Sequence, residues 1–261
     1  MGEVSTSAGI IGADQVRPRH AEELPILFLH GVGSDKSVWA AQLEAFGHHH
    51  HAIAADYPGY GESDFQPDAT RDDYAAAMLA LLDALDIERA HICGLSLGGV
   101  IAIAMASKAP DRTASLILAD TFAVHPEGQA IHDRSVAGAQ EHGMGGLAEA
   151  RVDALLGEDP PKGLREEVIA TMAQIPLAAY RLGARAVWLA DQCEKAAAIA
   201  APTLILCGEE DRITPPSLSD ELAGLIGHAR LAFIPGAGHL ANVERPGAFN
   251  ALLEEHIARV D

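Results

Sequence analysis

The sequence predicts an α/β fold: a doubly wound, mostly parallel sheet with a helical cap inserted within it. Three observations predict this fold. Short, uninterrupted apolar runs alternate with segments of helical periodicity, as is typical of a parallel sheet whose strands are buried on both faces. One of these runs leads directly into Gly-x-Ser-x-Gly and a further apolar segment. The alternation stops between residues 121 and 190 and then resumes.

Length and charge limit the kind of protein and the kind of partner. The chain has 261 residues, of which 49% are hydrophobic, and this is enough for one sizeable core. At this length we expect a single domain over residues 1–261 rather than two domains. The net charge of −19 argues against nucleic acid and against an anionic membrane as partners. We therefore expect a small-molecule substrate, and the composition leaves a homo-oligomer open.

The cysteine content predicts the compartment. Cys93, Cys193 and Cys207 are few, odd in number and far apart, so they do not form the pattern of a disulfide framework. The sequence has neither a secretory signal pattern nor an apolar run of about 18 residues. Reduced thiols in such a chain predict a cytoplasmic protein.

The first strands and the first helix follow from apolar patterning. The first 24 residues give only weak strand signals, around Val4 and over Gly9–Gly12, so one or two edge strands are expected there. Pro25–Leu29 is a short apolar run typical of a buried parallel strand. Apolar residues at helical spacing then predict a helix from Trp39 to Phe46.

A run of four histidines, His48–His51, lies before the next strand. Adjacent side chains do not all face one point, and no cysteine or carboxylate cluster accompanies them. We therefore interpret the run as a solvated loop rather than a metal site. Ala52–Ala55 is the strand that follows, and the glycines and proline of Asp56–Asp64 predict a tight loop. Helical spacing returns over Asp72–Leu85.

The stretch Ala90–Gly99 places Gly-x-Ser-x-Gly between a strand and a helix, which is the context of a nucleophile elbow. A serine hydroxyl is a weak nucleophile, so it must stand clear of the sheet where a base can reach its proton. The turn would hold Ser96 in this exposed position. Glycines are needed at Gly94 and Gly98 because side chains there would collide with neighbouring elements. We favour this interpretation over an ordinary Gly-rich loop before a helix.

Strand signals return on both sides of a long helical interruption. Ser115–Asp120 is a buried strand. Glycines and Pro160-Pro161 then punctuate short amphipathic pieces, and no strand-like run occurs between residues 121 and 190. We interpret residues 121–190, called here the cap segment, as a helical cap over the active end of the sheet. The resumed elements are the strands Thr203–Gly208 and Leu231–Ile234 and the closing helix Phe249–Val260.

Three residues at strand ends have the types that nucleophilic catalysis needs. A serine nucleophile requires a general base, and the base requires a carboxylate that fixes its tautomer. In folds with this elbow, the order along the chain is serine, acid, histidine. Ser96, Asp211 and His239 occur in that order, each at the carboxyl end of a strand, where α/β sheets bind their ligands. Asp120, from the preceding strand, is the alternative acid.

The oxyanion of the reaction must be met by preorganised N–H groups. We expect one from Leu97, directly after the nucleophile, and one from Val32 in the Gly-rich loop after the first buried strand. This chemistry needs no cofactor and no metal, and the sequence signals none.

Together these features resemble the α/β-hydrolase superfamily over residues 25–261. The motifs that carry the resemblance are His30-Gly31, Asp56–Ser63, Gly94–Gly98, Asp211 and Gly238-His239. Within the superfamily, the chain looks closest to bacterial 3-oxoadipate enol-lactonases. That finer resemblance rests on Leu29–Asp35 with Trp39 and Gln42, and on Gly94–Gly99.

The resemblance implies a serine hydrolase that cleaves a small carboxylic ester or lactone through an acyl-enzyme. Two alternatives stay open. Carbon–carbon bond hydrolases of ring-fission products from aromatic compounds use the same triad. The Gly-x-Gly-Ser-Asp-x-x-x-Trp segment is also similar to plant karrikin and strigolactone receptors. We favour an enzyme because the cap segment is suited to closing over a small ligand.

The pocket is expected to contain His30, Trp39 and Trp188. If the lactonase resemblance holds, the substrate carries a carboxylate, and arginine suits it because a planar guanidinium binds a carboxylate through two hydrogen bonds. Of the arginines in the cap segment, Arg134 and Arg185 are the expected anchors.

Overall fold

A computed structural model describes residues 2–19 and 23–260 of the chain. Its centre is an eight-stranded sheet in the order β1-β2-β4-β3-β5-β6-β7-β8. The strands are β1 Gly2–Thr6, β2 Gly9–Val16, β3 Ile26–Leu29, β4 Ala52–Ala55, β5 Ala90–Leu95, β6 Thr113–Ala119, β7 Thr203–Gly208 and β8 Arg230–Ile234. The six strands from β4 to β8 along the sheet pair in parallel, which confirms the predicted fold class.

The β1–β2 hairpin forms the antiparallel edge of the sheet. The weak signals near Val4 and Gly9–Gly12 therefore mark two strands, as the sequence allowed. β2 runs on to Val16, beyond the expected stretch. Its half-buried, mixed composition gives it less apolar patterning than the inner strands.

Inner strands read as uninterrupted apolar runs because both faces of the sheet are covered. In β3, Leu27 and Leu29 belong to one hydrophobic cluster, whereas Ile26 and Phe28 belong to the cluster on the opposite face. Alternation of side chains along a strand explains this division. Four apolar residues in a row thus supply two cores at once.

Helices cover both faces of the sheet. They are α1 Ala40–Phe46, α2 Arg71–Ala84, α3 Leu97–Lys108, α4 Gly128–Leu155, α5 Leu164–Gln174, α6 Leu177–Trp188, α7 Cys193–Ala197, α8 Pro216–Ile226, α9 Ala241–Glu244 and α10 Pro246–Ile257. Buried residues of α2, α3 and α8 form one cluster, and those of α1 and α10 join the other. Over the residues described, no helix is both long enough and apolar enough to cross a membrane.

The cap segment contains α4, α5 and α6. Its glycines predicted short pieces, and Gly143, where φ is 70° and ψ is 176°, does divide the 28 residues of α4 into two helices that meet at a kink. The other glycines within α4 remain helical, because packing against α5 and α6 outweighs their low helix propensity. That this segment acts as a cap stays a prediction.

Candidate active site

Ser96 lies at the junction of β5 and α3 in a strained conformation. Its φ is 55° and its ψ is −112°, a combination that costs energy for a residue with a side chain. Both backbone groups of Ser96 are hydrogen-bonded. The N–H of Ser96 donates to the carbonyl of Ala119, and the hydroxyl of Thr121 donates to the carbonyl of Ser96. Among the described residues, none hydrogen-bonds to Oγ of Ser96, which leaves that atom available to a substrate.

Two glycines make this turn sterically feasible. A Cβ on Gly94 would collide with the carbonyl of Gly98. A Cβ on Gly98 would collide with the carbonyl of Leu29 in β3. The Gly-x-Ser-x-Gly pattern therefore reflects close backbone contact between a strand, a turn and a helix.

His239 and Asp211 form a direct pair at the ends of β8 and β7. Nδ1 of His239 lies 2.8 Å from Oδ2 of Asp211. The other hydrogen bonds to the Asp211 carboxylate come from Thr214 Oγ1 and from the backbone N–H groups of Ile213 and Thr214. Burial raises the pKa of Asp211. The charge of His239 and the hydrogen bonds from His239 and Thr214 outweigh burial and lower that pKa.

Asp120, the alternative acid, is fully buried and bonds elsewhere. Its Oδ1 accepts a hydrogen bond from the backbone N–H of Gly208 at 2.8 Å. Burial, reinforced by the nearby charge of Asp211, raises the pKa of Asp120 well above its ordinary value. The protonated form of Asp120 is thus favoured, and Asp211 is the carboxylate that contacts the imidazole.

The two residues expected to supply N–H groups for the oxyanion lie close to Ser96. Leu97 is the first residue of α3, and the first N–H groups of a helix have no partner within the helix. Val32 lies in the loop after β3 and lines the same cavity as Ser96. A donor from each side is the arrangement that stabilises a tetrahedral intermediate.

His30 supports the loop that carries Val32. Its Nδ1 lies 2.8 Å from the carbonyl oxygen of Gly31, and the N–H of Ser34 donates to the same oxygen. That carbonyl shares a trans peptide unit with the N–H of Val32, so the two point in opposite directions. Burial lowers the pKa of His30, and this effect is larger than that of the Asp56 charge, which raises it. An imidazole that donates from Nδ1 to the Gly31 carbonyl therefore helps to orient the N–H of Val32.

The cavity over Ser96 is small and largely apolar. Its volume is about 130 Å³, close to the size of apolar cavities that hold benzene. Its wall combines the elbow, the loop after β3, the loop of the histidine and the cap segment. The cap residues among them include Arg151, Leu155, Leu164, Met172, Tyr180 and Trp188.

Comparison with known families agrees with this geometry. The profile described as the alpha/beta hydrolase family matches residues 26–252, which is most of the chain. The chain belongs to the alpha/beta hydrolase family. This confirms the resemblance that the sequence motifs predicted.

The hydrolase is similar in sequence to enzymes of two chemistries. It is 29% identical over 227 residues to 3-oxoadipate enol-lactonase 1 of Acinetobacter baylyi, covering 86% of this chain and 85% of the relative. It is 30% identical over 250 residues to the 2-hydroxymuconate semialdehyde hydrolase of a Pseudomonas species, covering 91% of this chain and 88% of the relative.

A solved structure agrees over nearly the whole length. The thermophilic esterase of Thermogutta terrifontis, in a structure with malate bound, superposes with a TM-score of 0.90 at 28% identity. The superposition covers 99% of this hydrolase and 98% of the esterase.

Only one of the three residues His30, Trp39 and Trp188, which were predicted in the pocket, lines the cavity over Ser96. Trp188 lines the cavity over Ser96. His30 and Trp39 are fully buried and lie outside its lining. Trp39 packs on Phe28 and Phe249 in the core on the other face of the sheet. His30 acts from beneath the loop, as described above, so these two residues are corrected from pocket to supporting positions.

The arginines of the hydrolase also differ from expectation. Arg185 donates to the carbonyls of Asp68 and Ala69, and it faces a different surface depression from the cavity over Ser96. Arg134 lies in a neighbouring open groove. Arg151 lines both that groove and the cavity over Ser96. Arg151 therefore takes the position that the sequence assigned to Arg134 or Arg185.

Arg151 is held beside Trp188 without an ion pair. Its Cζ lies 5.9 Å from the centroid of the Trp188 ring, within range of a cation–π contact. Across residues 2–19 and 23–260, no carboxylate lies close enough to form a salt bridge with it. An unpaired guanidinium at the edge of an apolar cavity is suited to bind an anionic group.

Asp120, Cys207 and Asp211 form a buried cluster of possible metal ligands beside the histidine–aspartate pair. Oxygen or sulfur atoms of Asp120, Cys207 and Asp211 lie within 4.8 Å of one another. Burial raises the pKa of both Asp120 and Cys207, and Asp211 is already saturated with hydrogen bonds.

The histidine run lies in the turn before β4, and two of its members have different partners. His50 contacts the carboxylate of Glu23 and the carbonyl of Leu24. His51 contacts the side chain of Gln15. His50 and His51 are buried and have separate structural partners, so the prediction of a solvated loop holds for His48 and His49 but is wrong for these two residues.

Sequence reasoning missed the groups that support the predicted residues. Thr214 holds the carboxylate of Asp211, and the hydroxyl of Tyr60 donates to the carbonyl of Val32. Beneath the same loop, Nζ of Lys36 lies 2.6 Å from Oδ2 of the buried Asp56. Burial lowers the pKa of Lys36, but hydrogen bonds to acidic partners outweigh burial and raise it. Only the loop composition around Asp56 signalled a specific structure here.

Proposed function

We propose that this alpha/beta hydrolase cleaves a small carboxylic ester or lactone through a covalent acyl-enzyme. Ser96 is the nucleophile, His239 the general base and acid, and Asp211 the carboxylate that orients the imidazole. The observation that carries the proposal is the 2.8 Å contact between His239 and Asp211 at the wall of the cavity that also contains Ser96.

The first half-reaction forms the acyl-enzyme. Oγ of Ser96 adds to the carbonyl carbon of the substrate, and its proton passes to Nε2 of His239. The carbonyl oxygen becomes an oxyanion, which the N–H groups of Val32 and Leu97 stabilise. The intermediate collapses, the ester oxygen leaves, and His239 returns the proton to it. In a lactone this oxygen stays attached to the acyl chain.

The second half-reaction releases the acid. A water molecule gives a proton to His239 and adds to the acyl carbon. The second tetrahedral intermediate then expels Ser96, which regains its proton from the imidazole. Asp211 stays ionised throughout and stabilises the imidazolium that forms in each half-reaction. The lowered pKa of Asp211 supports this role.

We propose further that Arg151 binds a carboxylate of the substrate. It is the arginine that lines the cavity over Ser96, and its guanidinium has no acidic partner among the described residues. Trp188 supplies a flat apolar surface beside it. The related esterase of Thermogutta terrifontis was solved with malate bound, and malate is a dicarboxylate. A carboxylate-bearing ester or lactone suits this wall.

Hydrolysis of a carbon–carbon bond is the second candidate function. The similarity to a 2-hydroxymuconate semialdehyde hydrolase favours it, because that relative is 30% identical and covers 91% of this chain. A diketone substrate would use the same serine, histidine and oxyanion groups. The cavity volume of about 130 Å³ favours a compact acyl group over an extended ring-fission product.

The test is a comparison of substrates on the purified full chain. Sustained turnover of p-nitrophenyl acetate, over many cycles per protein molecule, would favour an enzyme over a hydrolase-like receptor, for which only vestigial turnover is expected. A panel of lactones would then be compared with ring-fission diketones at equal concentrations. We expect kcat/KM for the best lactone or ester to exceed that for the best diketone by at least about 10-fold, or about 1.4 kcal/mol in activation free energy. The reverse order would favour the carbon–carbon bond hydrolase.

A further inference from the structure

The cap segment is joined to the loops of the histidine and the acid by a row of polar contacts. Residues 155–159, called here the exit segment, begin at the last residue of α4. The N–H of His239 donates to the carbonyl of Leu155 at 2.9 Å. Further along, the N–H of Glu158 donates to the carboxylate of Glu210 at 2.6 Å, and Arg245 donates to the carbonyl of Asp159. The exit segment thus contacts both loops that supply the triad.

The histidine loop fits tightly between this segment and the sheet. A Cβ on Gly238 would lie 2.6 Å from the backbone nitrogen of Gly157. On the sheet side, a Cβ on Gly208 would collide with the carbonyl of Gly238. The residue directly before His239 therefore has the exit segment on one side and the end of β7 on the other.

Glu244 joins the two sides of this contact. Its Oε2 accepts the N–H of Gly157 at 2.8 Å, and its Oε1 accepts the N–H of Gly238 at 2.9 Å. The residue is only 2% exposed. Burial raises the pKa of Glu244, while its hydrogen bonds from backbone N–H groups lower it. One buried carboxylate therefore binds the exit segment with one oxygen and the histidine loop with the other.

We propose that Glu244 is a positioning residue for His239, which it holds in register with the cap segment and with Asp211. The proposal rests on the proposed function, because it assigns His239 as the base. Each oxygen of Glu244 receives a backbone donor, so a glutamine at this position keeps one acceptor and sets an amide N–H₂ against the other donor. The His239 loop then shifts away from Asp211 and from Ser96.

The experiment compares Glu244→Gln with a matched control, Glu210→Gln, in the full-length chain. Glu210 also accepts a backbone N–H from the exit segment, but its side chain does not bond to the histidine loop. We expect Glu244→Gln to lower kcat on p-nitrophenyl acetate by about 10-fold or more, because displacement of a catalytic group by about 1 Å can cost 10²-fold. KM should change by less than about 2-fold, and Glu210→Gln should keep the wild-type kcat.

A spectroscopic measurement separates positioning from activity. The Nδ1 proton of His239, when bonded to Asp211, gives a far-downfield proton resonance, which can be assigned by its loss in His239→Gln. We expect Glu244→Gln to weaken or broaden this resonance and Glu210→Gln to leave it unchanged. This signal does not depend on Ser96. If Ser96→Ala kept full activity, the proposed function would fail while the resonance still tested Glu244.

Two results would overturn the proposal. One is a Glu244→Gln variant with wild-type kcat and an unchanged resonance. The other is an equal loss of kcat in Glu210→Gln, which would make the effect a general one of the exit segment. If Glu244→Gln lacks a cooperative unfolding transition, Glu244→Asp takes its place, because a carboxylate one methylene shorter cannot accept the N–H groups of both Gly157 and Gly238. We expect that variant to lower kcat by at least about 3-fold, and an unchanged kcat would also overturn the proposal.

Discussion

The imidazole of His239 faces the carboxylate of Asp211, with 2.8 Å between Nδ1 and Oδ2, and both side chains are almost completely buried. Such a contact fixes the tautomer, since Nδ1 carries the proton and Nε2 is left to accept one from the nucleophile. Asp120, only one strand away, bonds to the backbone instead. We therefore expect substitutions of Asp211 and Asp120 to have different effects on catalysis.

Replacing each acid by its amide should separate their roles. Asp211→Asn should lower kcat by about 10⁴-fold, because the amide oxygen takes the side that accepts the N–H groups of Ile213 and Thr214, and the NH₂ then donates to Nδ1 of His239 and fixes the wrong tautomer. Asp120→Asn should lower kcat by less than about 10-fold, since a neutral acid and an amide are close in shape and both accept the N–H of Gly208. Steady-state kinetics on one ester would compare them, and a larger loss in Asp120→Asn would move the catalytic acid to β6.

The same substitution at Asp120 should change how stability depends on pH. The folded-state pKa of Asp120 is raised, and its unfolded-state pKa is about 3.9. A group of this kind contributes stability that is complete below the unfolded pKa and is lost as pH rises toward the folded pKa. The wild type should therefore lose stability with rising pH through this group, whereas Asp120→Asn has no such proton to lose.

Urea unfolding of both proteins at several values between about pH 5 and pH 8 would measure this effect. We expect the free energy of unfolding of Asp120→Asn, relative to wild type, to increase steadily with pH. Other titrating groups are common to both proteins and cancel in the difference. A difference that stays constant over this range would mean that Asp120 is ionised in the folded protein.

The sequence predicted those parts of the fold in which a single structural requirement determines the residue types of a short segment. Burial on both faces makes β3 and β4 uninterrupted apolar runs. The close contacts of Gly94 and Gly98 likewise leave glycine at two fixed positions beside Ser96. The edge hairpin has no such requirement, so β1 and β2 were only weakly signalled.

The predictions that failed depend on the directions in which side chains point, and these cannot be deduced from the sequence. Arg134 and Arg151 both belong to α4, but the non-helical geometry at Gly143 lies between them and resets the rotation of the helix. The face occupied by Arg134 therefore gives no information about Arg151. Trp39 follows the predicted oxyanion loop closely in sequence, yet its side chain packs in the core on the far face of the sheet. The prediction placed Trp39 in the pocket only because it is close in sequence to that loop.

Arg151 should govern the affinity for anionic substrates. Arg151→Ala should raise KM for an anionic lactone by about 10-fold or more, as loss of a charged hydrogen bond implies. Hydrolysis of neutral p-nitrophenyl acetate should be nearly unchanged. Arg165→Ala is the matched control, because Arg165 lies in the cap segment but bonds to Asp153 outside the cavity. Equal KM values for Arg151→Ala and wild type on anionic lactones would exclude Arg151 as the anchor and favour a general esterase.

The central claim is that Ser96 forms the covalent intermediate. The most direct measurement is the rate of ester hydrolysis by Ser96→Ala, with circular dichroism and thermal unfolding showing that the variant is folded. We expect kcat to fall by several orders of magnitude, on the order of 10⁴-fold or more, because the remaining groups cannot replace a nucleophile. A folded Ser96→Ala protein that kept more than about a tenth of the wild-type rate would contradict the serine mechanism.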